Sequence, residues 1–186
     1  MDTILDYVLH GGTISAIVLL VLSFYLILVF YIFIYKLITL GAVLRVEKRS
    51  LAYLASGGDM SMVISKLKRC IGNSTISKEL LKACETSLIR ELSSGTTWLS
   101  IISSTAPFIG LFGTVVGILD SFAKFATQTK VGFSVIAPAI SEALVATAAG
   151  IFVAIFAYTF HQLIVRKLYI ISTYLKSQSE ILMLKG

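Results

Sequence analysis

Three stretches of the chain stay apolar for as long as a helix needs to cross a bilayer, and nothing else in the sequence restricts the fold as much. Thr13–Tyr35, TISAIVLLVLSFYLILVFYIFIY, has no charged residue. Trp98–Leu119, WLSIISSTAPFIGLFGTVVGIL, has none either, and a third run from Ser134 to Phe160 has one, Glu142. About 20 apolar residues span the hydrocarbon core as a helix. Backbone facing lipid must satisfy its own hydrogen bonds, which selects helices over an open sheet. The expected fold class is therefore an all-α integral membrane protein with three transmembrane helices: 13–35, 98–119 and 134–160. Composition points the same way, since 56% of the 186 residues are hydrophobic, 14% are charged and the mean hydropathy is +0.90.

Lysine and arginine set the orientation. Residues 36–97 hold ten of the sixteen and the 161–186 tail holds four. The 120–133 loop holds Lys124 and Lys130, and residues 1–12 hold none. The two basic segments share one side, the cytoplasmic one, and the N-terminus and the 120–133 loop lie outside. This asymmetry accounts for the net charge of +6 without a nucleic acid partner. The start, MDTILDYVLHGG, has two aspartates and no basic residue, so it reads as an outer-face amphipathic segment bent into the first span at Gly11-Gly12, not as a signal peptide. Trp98, Tyr31, Tyr35 and Tyr158 fit an interfacial aromatic belt, and His161 begins the tail.

Segment 36–97 reads as a cytoplasmic helical hairpin. Leu44, Leu51, Leu54 and Ala55 form an apolar face that ends at Gly57-Gly58-Asp59. MSMVISKLKRCI resumes helical spacing up to Gly72-Asn73-Ser74, and Ser77 precedes a new helix with Glu79 in its first turn. Cys70 and Cys84 show neither a CxxC spacing nor an intervening histidine, so they read as ordinary thiols of a reducing compartment. The chain contains no phosphate-binding glycine loop, HExxH, Ser/His/Asp set or metal-ligand cluster. The sequence thus points away from an enzyme and calls for no cofactor or metal.

The second and third spans differ in kind from the first. Ser103, Pro107, Gly110, Thr114, Gly117 and Ser121 recur every three or four residues on one, with Gly113 beside them. Ala143, Thr147, Gly150, Ala154 and Ala157 do so on the other. Small residues let helices approach closely where lipid and leucine are equally apolar, so these two spans are expected to face helices, with Gly110, Gly113, Gly117 and Gly150 at the contacts. The bulky first span is expected to face lipid.

Glu142 is the anomaly. A charge at mid-membrane costs roughly 3 kcal/mol on insertion scales, and such residues mark ion paths or buried partners. It lies about eight residues, roughly 12 Å, inside the outer end of its helix, at a depth close to that of Thr114 on the antiparallel neighbour. Thr147, five residues on, is turned about 140° away, so Glu142 and Thr147 flank one wall without pointing the same way. Two readings stay open. Glu142 serves ion flow, or it locks helices together in a passive scaffold.

TAPFIGLFGTVVGILDSF (Thr105–Phe122) followed by APAISEALVATAAGIFVAI (Ala137–Ile155) resembles the signature pair of the ExbB/TolQ/MotA proton-channel family, most closely its three-span ExbB and TolQ branch. The phenylalanine of GLFGTV leans toward TolQ. The resemblance implies a bacterial inner-membrane subunit assembled as a pentamer around a single-span ExbD- or TolR-like partner whose aspartate carries protons. It implies a proton path lined by Thr114, Glu142 and Thr147. It further implies that proton-motive force is converted into work on the outer membrane through a TonB- or TolA-like protein. Whether the role is ExbB-type or TolQ-type, whether the ion is H+ or Na+, and whether Glu142 carries protons or gates the partner's aspartate all stay open at this level.

Overall fold

The computed structural model describes residues 13–58, 65–72, 77–127 and 133–185. The expected amphipathic segment 1–12 with its Gly11-Gly12 bend, the Asn73-Ser74 break and Lys130 lie outside the described residues. Five helices follow in order: α1 (Thr13–Ala55), α2 (Lys66–Ile71), α3 (Lys78–Ser93), α4 (Thr96–Thr127) and α5 (Phe133–Lys185). Three of them, α1, α4 and α5, are long and apolar enough to cross a membrane. At 1.5 Å per residue the 43 residues of α1 reach about 65 Å and the 53 of α5 about 80 Å, more than twice a hydrocarbon core of about 30 Å. Both helices therefore run far past the apolar runs that seed them.

Local sequence explains where the helices stop. α1 ends at Ala55, and Gly57 follows at φ +92°, a conformation that side chains disfavour. Ser77 caps α3, as the sequence predicts: its Oγ accepts from the Leu80 N–H at 3.2 Å, and Glu79 lies in the first turn. Between α3 and α4 the chain turns at Gly95, φ +80°, after the Ser94 N–H has bonded to the carbonyls of Arg90 and Glu91.

The chain divides into two compact units. One contains Met1–Tyr31 and Trp98–Phe160, the other Ile32–Thr97 and His161–Gly186. The first is small inside and large outside. Its buried residues include Val18, Leu22 and Val29 of α1, Ala106 and Thr114 of α4, and Ala143, Ala146, Ala154 and Ala157 of α5. Leu20, Phe24, Phe108, Phe112, Phe152 and Ile155 lie on its surface. The first span was expected to face lipid, yet only one side of it is exposed. Val18, Leu22 and Val29 turn inward, and Phe30 stacks against Phe156 and Phe160 with ring centroids 5.6 and 5.2 Å apart.

The second unit has a leucine-rich core: Leu40 and Leu54 of α1, Leu67 of α2, Leu81, Leu88 and Leu92 of α3, and Ile164, Ile171 and Leu175 of α5. The expected face of α1 here is rotated. Leu44 and Leu51 are half-buried and Ala55 is exposed, while Glu47 and Ser50 share the interior with Leu40 and Leu54. The cysteines also depart from expectation. Cys70 and Cys84 form a disulfide, because α2 packs on α3 with their Cα atoms 5.8 Å apart. The sequence spacing of 14 residues gave no hint of it.

Candidate functional site

The site is built on a backbone-to-backbone approach of α4 and α5. A Cβ placed on Gly110 would sit 2.7 Å from the Ala146 carbonyl oxygen and 3.0 Å from the Thr147 Cα. One placed on Gly150 would sit 2.6 Å from the Ala106 carbonyl oxygen and 3.1 Å from the Gly110 Cα. Only glycine permits this approach, since real Cβ contacts are not that short. Gly113 and Gly117 meet α1 as well: their Cβ positions lie 2.9 Å from Val18 Cγ1 and 3.3 Å from Ser15 Oγ. The small-residue stripes read from the sequence are thus occupied within one chain, α4 against α5, with α1 closing over Gly113 and Gly117.

This approach brings the two predicted threonines together. Thr114 Oγ1 and Thr147 Oγ1 meet in a short hydroxyl–hydroxyl hydrogen bond. Thr114 Oγ1 also lies 2.9 Å from the Ala143 carbonyl across the helix interface and 3.3 Å from Gly110 O on its own helix. Thr147 Oγ1 lies 3.3 Å from the same Gly110 oxygen. Each hydroxyl has one proton, so the pair has two self-consistent arrangements. In one, Thr147 donates to Thr114, which donates to Ala143 O. In the other, Thr114 donates to Thr147, which donates to Gly110 O. Such a hydroxyl pair can reverse its polarity along the α4–α5 seam without leaving a donor unpaired.

Glu142 is next to that seam. It immediately precedes Ala143, whose carbonyl Thr114 binds, and it is half-buried. Its helical neighbours four and three residues on are Ala146, buried, and Val145, exposed. This places Glu142 at the edge of the buried stripe of α5, while Thr147, also half-buried, bonds to α4. Among the described residues from Ile140 to Phe160, Glu142 is the only formally charged one.

The second unit holds polar residues that sequence reading did not single out. Glu47 is fully buried; its carboxylate accepts from the Lys66 backbone N–H at 2.8 Å and from Gln178 Nε2 at 3.0 Å. Gln178 Nε2 also donates to Glu47 O at 3.1 Å. Lys36, buried, donates through Nζ to Leu92 O at 2.9 Å, supplying a partner and a positive charge at the C-terminal end of α3. One signal was present for Glu47: it lies seven residues from both Leu40 and Leu54, on their side of the helix. No comparable signal marks Lys36, which reads as one more basic residue of the segment.

The model of the MotA/TolQ/ExbB proton channel family matches residues 56–177. The chain is 42% identical over 185 residues to the putative biopolymer transport protein ExbB-like 1 of Helicobacter pylori, covering 98% of this chain and 97% of that one. Two further matches are shorter. The biopolymer transport protein ExbB of Pseudomonas putida is 48% identical over 79 residues, 42% of this chain and 24% of that one. The Tol-Pal system protein TolQ of Pseudomonas aeruginosa is 46% identical over 65 residues, 35% of this chain and 28% of that one.

Proposed function

This chain belongs to the MotA/TolQ/ExbB proton channel family, and we propose that it is the multi-pass subunit of an inner-membrane motor that turns proton flow into work on the outer membrane. The observation that carries the reading is the Thr114–Thr147 hydroxyl pair, bound across α4 and α5 beside Glu142. A carboxylate that takes and releases a proton, next to a reversible pair of hydroxyls, forms a polar station in an otherwise apolar wall. The glycines at 110, 113, 117 and 150 hold that wall together. The name of a relative that matches nearly the whole chain weighs toward biopolymer transport, against the TolQ lean of GLFGTV.

The subunit works as a pentamer, with the 36–97 segment and the C-terminus cytoplasmic and the N-terminus periplasmic. The large apolar side chains on the surface of the first unit, Phe108, Phe112 and Phe152 among them, supply contacts to neighbouring copies and to lipid. One glutamate per subunit gives one station, so the path is completed by an acidic group on a single-span ExbD- or TolR-like helix. Purified alone in liposomes, the protein is expected to conduct protons poorly, and robust flux without a partner would sink the partner requirement.

Glu142→Gln keeps size and hydrogen-bonding capacity but cannot ionise. It is expected to insert and assemble normally while abolishing energy-dependent function in a complementation assay. A passive helix lock predicts the reverse, with glutamine tolerated and Glu142→Ala disrupting assembly. A fully active Glu142→Gln variant removes the channel role from this residue.

A further inference from the structure

The only two cysteines of the chain are joined where α2 packs on α3. Their Cα separation of 5.8 Å lies in the range a disulfide bridges without backbone movement. Their surroundings differ: Cys70 is exposed on α2, between Arg69 and Ile71, while Cys84 is buried in α3. α2 has six residues, too few to be stable as a helix alone. Its N-terminal end is held independently of the cysteines, by the Ser65 hydroxyl on the Lys68 N–H, by the Glu47 carboxylate on the Lys66 N–H and by the Lys66–Glu91 ion pair at 2.9 Å. Its C-terminal end, where Gly72 turns the chain at φ +59°, is held by burial of Ile71 and by the disulfide.

The lysine and arginine distribution puts this segment on the cytoplasmic side, where disulfides that form are transient and regulatory, not structural. We propose that Cys70 and Cys84 are a reversible oxidation site, with Cys70 the thiol that meets a peroxide and Cys84 the thiol that resolves it. Its state sets how firmly the C-terminal end of α2 is held to α3. The inference shares with the functional reading only the orientation of the chain and makes no use of Glu142. In the first step the Cys70 sulfur attacks a peroxide oxygen; an S–O bond forms, the O–O bond breaks and one water leaves, giving a sulfenic acid. In the second step the Cys84 sulfur attacks that sulfur; the S–S bond forms, the S–O bond breaks and a second water leaves. Two thiols are oxidised and one peroxide is reduced to two waters. A cellular dithiol restores the pair by two exchanges, leaving that dithiol as a disulfide.

The test uses the full-length protein in its own membranes, acid-quenched, alkylated with a maleimide and read by mass spectrometry. Untreated cells should yield two alkylated cysteines per chain. A hydrogen peroxide pulse should yield none and a mass lower by two hydrogens, with recovery of both thiols after the pulse. A disulfide already complete in untreated cells, or thiols that remain unlinked through the pulse, overturns the proposal. In Cys84→Ser the remaining Cys70 should form a mixed disulfide with glutathione during the pulse, while in Cys70→Ser the buried Cys84 should stay unmodified. Equal modification of the two variants overturns the assigned order. On the purified wild-type protein, amides of residues 66–71 should exchange with deuterium about tenfold faster after reduction, the signature of a local opening made easier. Identical exchange in the two states overturns the control of α2.

Discussion

Around Gly110 and Gly150 the interior is glycine, alanine and threonine, with phenylalanine and isoleucine outside. Around Glu47 the interior is leucine, and the exposed positions of α1 there include Arg45, Lys48 and Arg49. The two units thus follow opposite rules, and the solvent explains why. In water, burying leucine contributes roughly 25 cal/mol per Å², so unit two collects leucine inside and keeps Arg45, Lys48 and Arg49 outside. In a bilayer that driving force between helices vanishes, and association rests on close packing and interhelical hydrogen bonds, which small residues and hydroxyls supply. Buried polar groups differ accordingly. The first unit uses the hydroxyls of Thr114, buried, and Thr147, half-buried, while the second accommodates the Glu47 side chain, satisfied by a backbone N–H and an amide.

The largest effect should come from filling the glycine contact. Gly150→Leu drives a side chain into the Ala106 carbonyl, already 2.6 Å from the Cβ position, and should lower stability by about 3 kcal/mol or more. Leu20→Ala, on a side chain 70% exposed, should stay within about 0.5 kcal/mol. Thermal unfolding of both variants in one detergent checks this, and equal midpoints would break the contrast between a close-packed interior and a greasy exterior.

Next in size is Glu47→Ala, which removes the acceptor of the part-buried Lys66 N–H and one of the two acceptors of Gln178 Nε2; about 2–4 kcal/mol should be lost. Glu47→Gln keeps one acceptor and should cost less. If denaturant melts show alanine and glutamine to be equivalent, the hydrogen bonds of this carboxylate do not support the leucine-rich unit.

Thr114→Val is smaller in stability and larger in function. It keeps the shape and removes the bond to Ala143 O, a loss of about 1 kcal/mol. Energy-dependent function should fall partly to severely in a complementation assay with oligomer size unchanged. A fully active valine variant would leave the hydroxyl pair with packing as its only role.

The smallest effect belongs to the exposed ion pair. The hydrogen bond from Lys66 and its positive charge hold the Glu91 carboxyl below the ordinary glutamate range. The folded value is the lower one, so the stabilisation is present above the unfolded value of about 4.3 and is lost as pH falls through the folded value. Exposure limits it to about 0–1 kcal/mol. Glu91→Gln should therefore shift the unfolding midpoint slightly at pH 6, and by progressively less as pH falls through the folded value. A shift well above that ceiling would show that charge contributes to the second unit as strongly as leucine does.

Features governed by neighbours along the chain were readable from the residues. The apolar runs seeded α1, α4 and α5, Ser77 marked the start of α3, and an uncharged environment set Glu142 apart, while Thr114 and Thr147 stood out through the family resemblance. Hydropathy and capping act over one or two turns, so a linear reading captures them. What the residues alone left open was which stripes meet. The glycine stripes turned out to be occupied by α4 and α5 of one chain, with Val18 and Ser15 of α1 closing over Gly113 and Gly117. Glu47 found its partner 131 residues away in Gln178, Lys36 found the end of α3, and Cys70 found Cys84. Each of these depends on the rotation and offset of one helix against another, set by packing of the whole interior, and no local pattern encodes them.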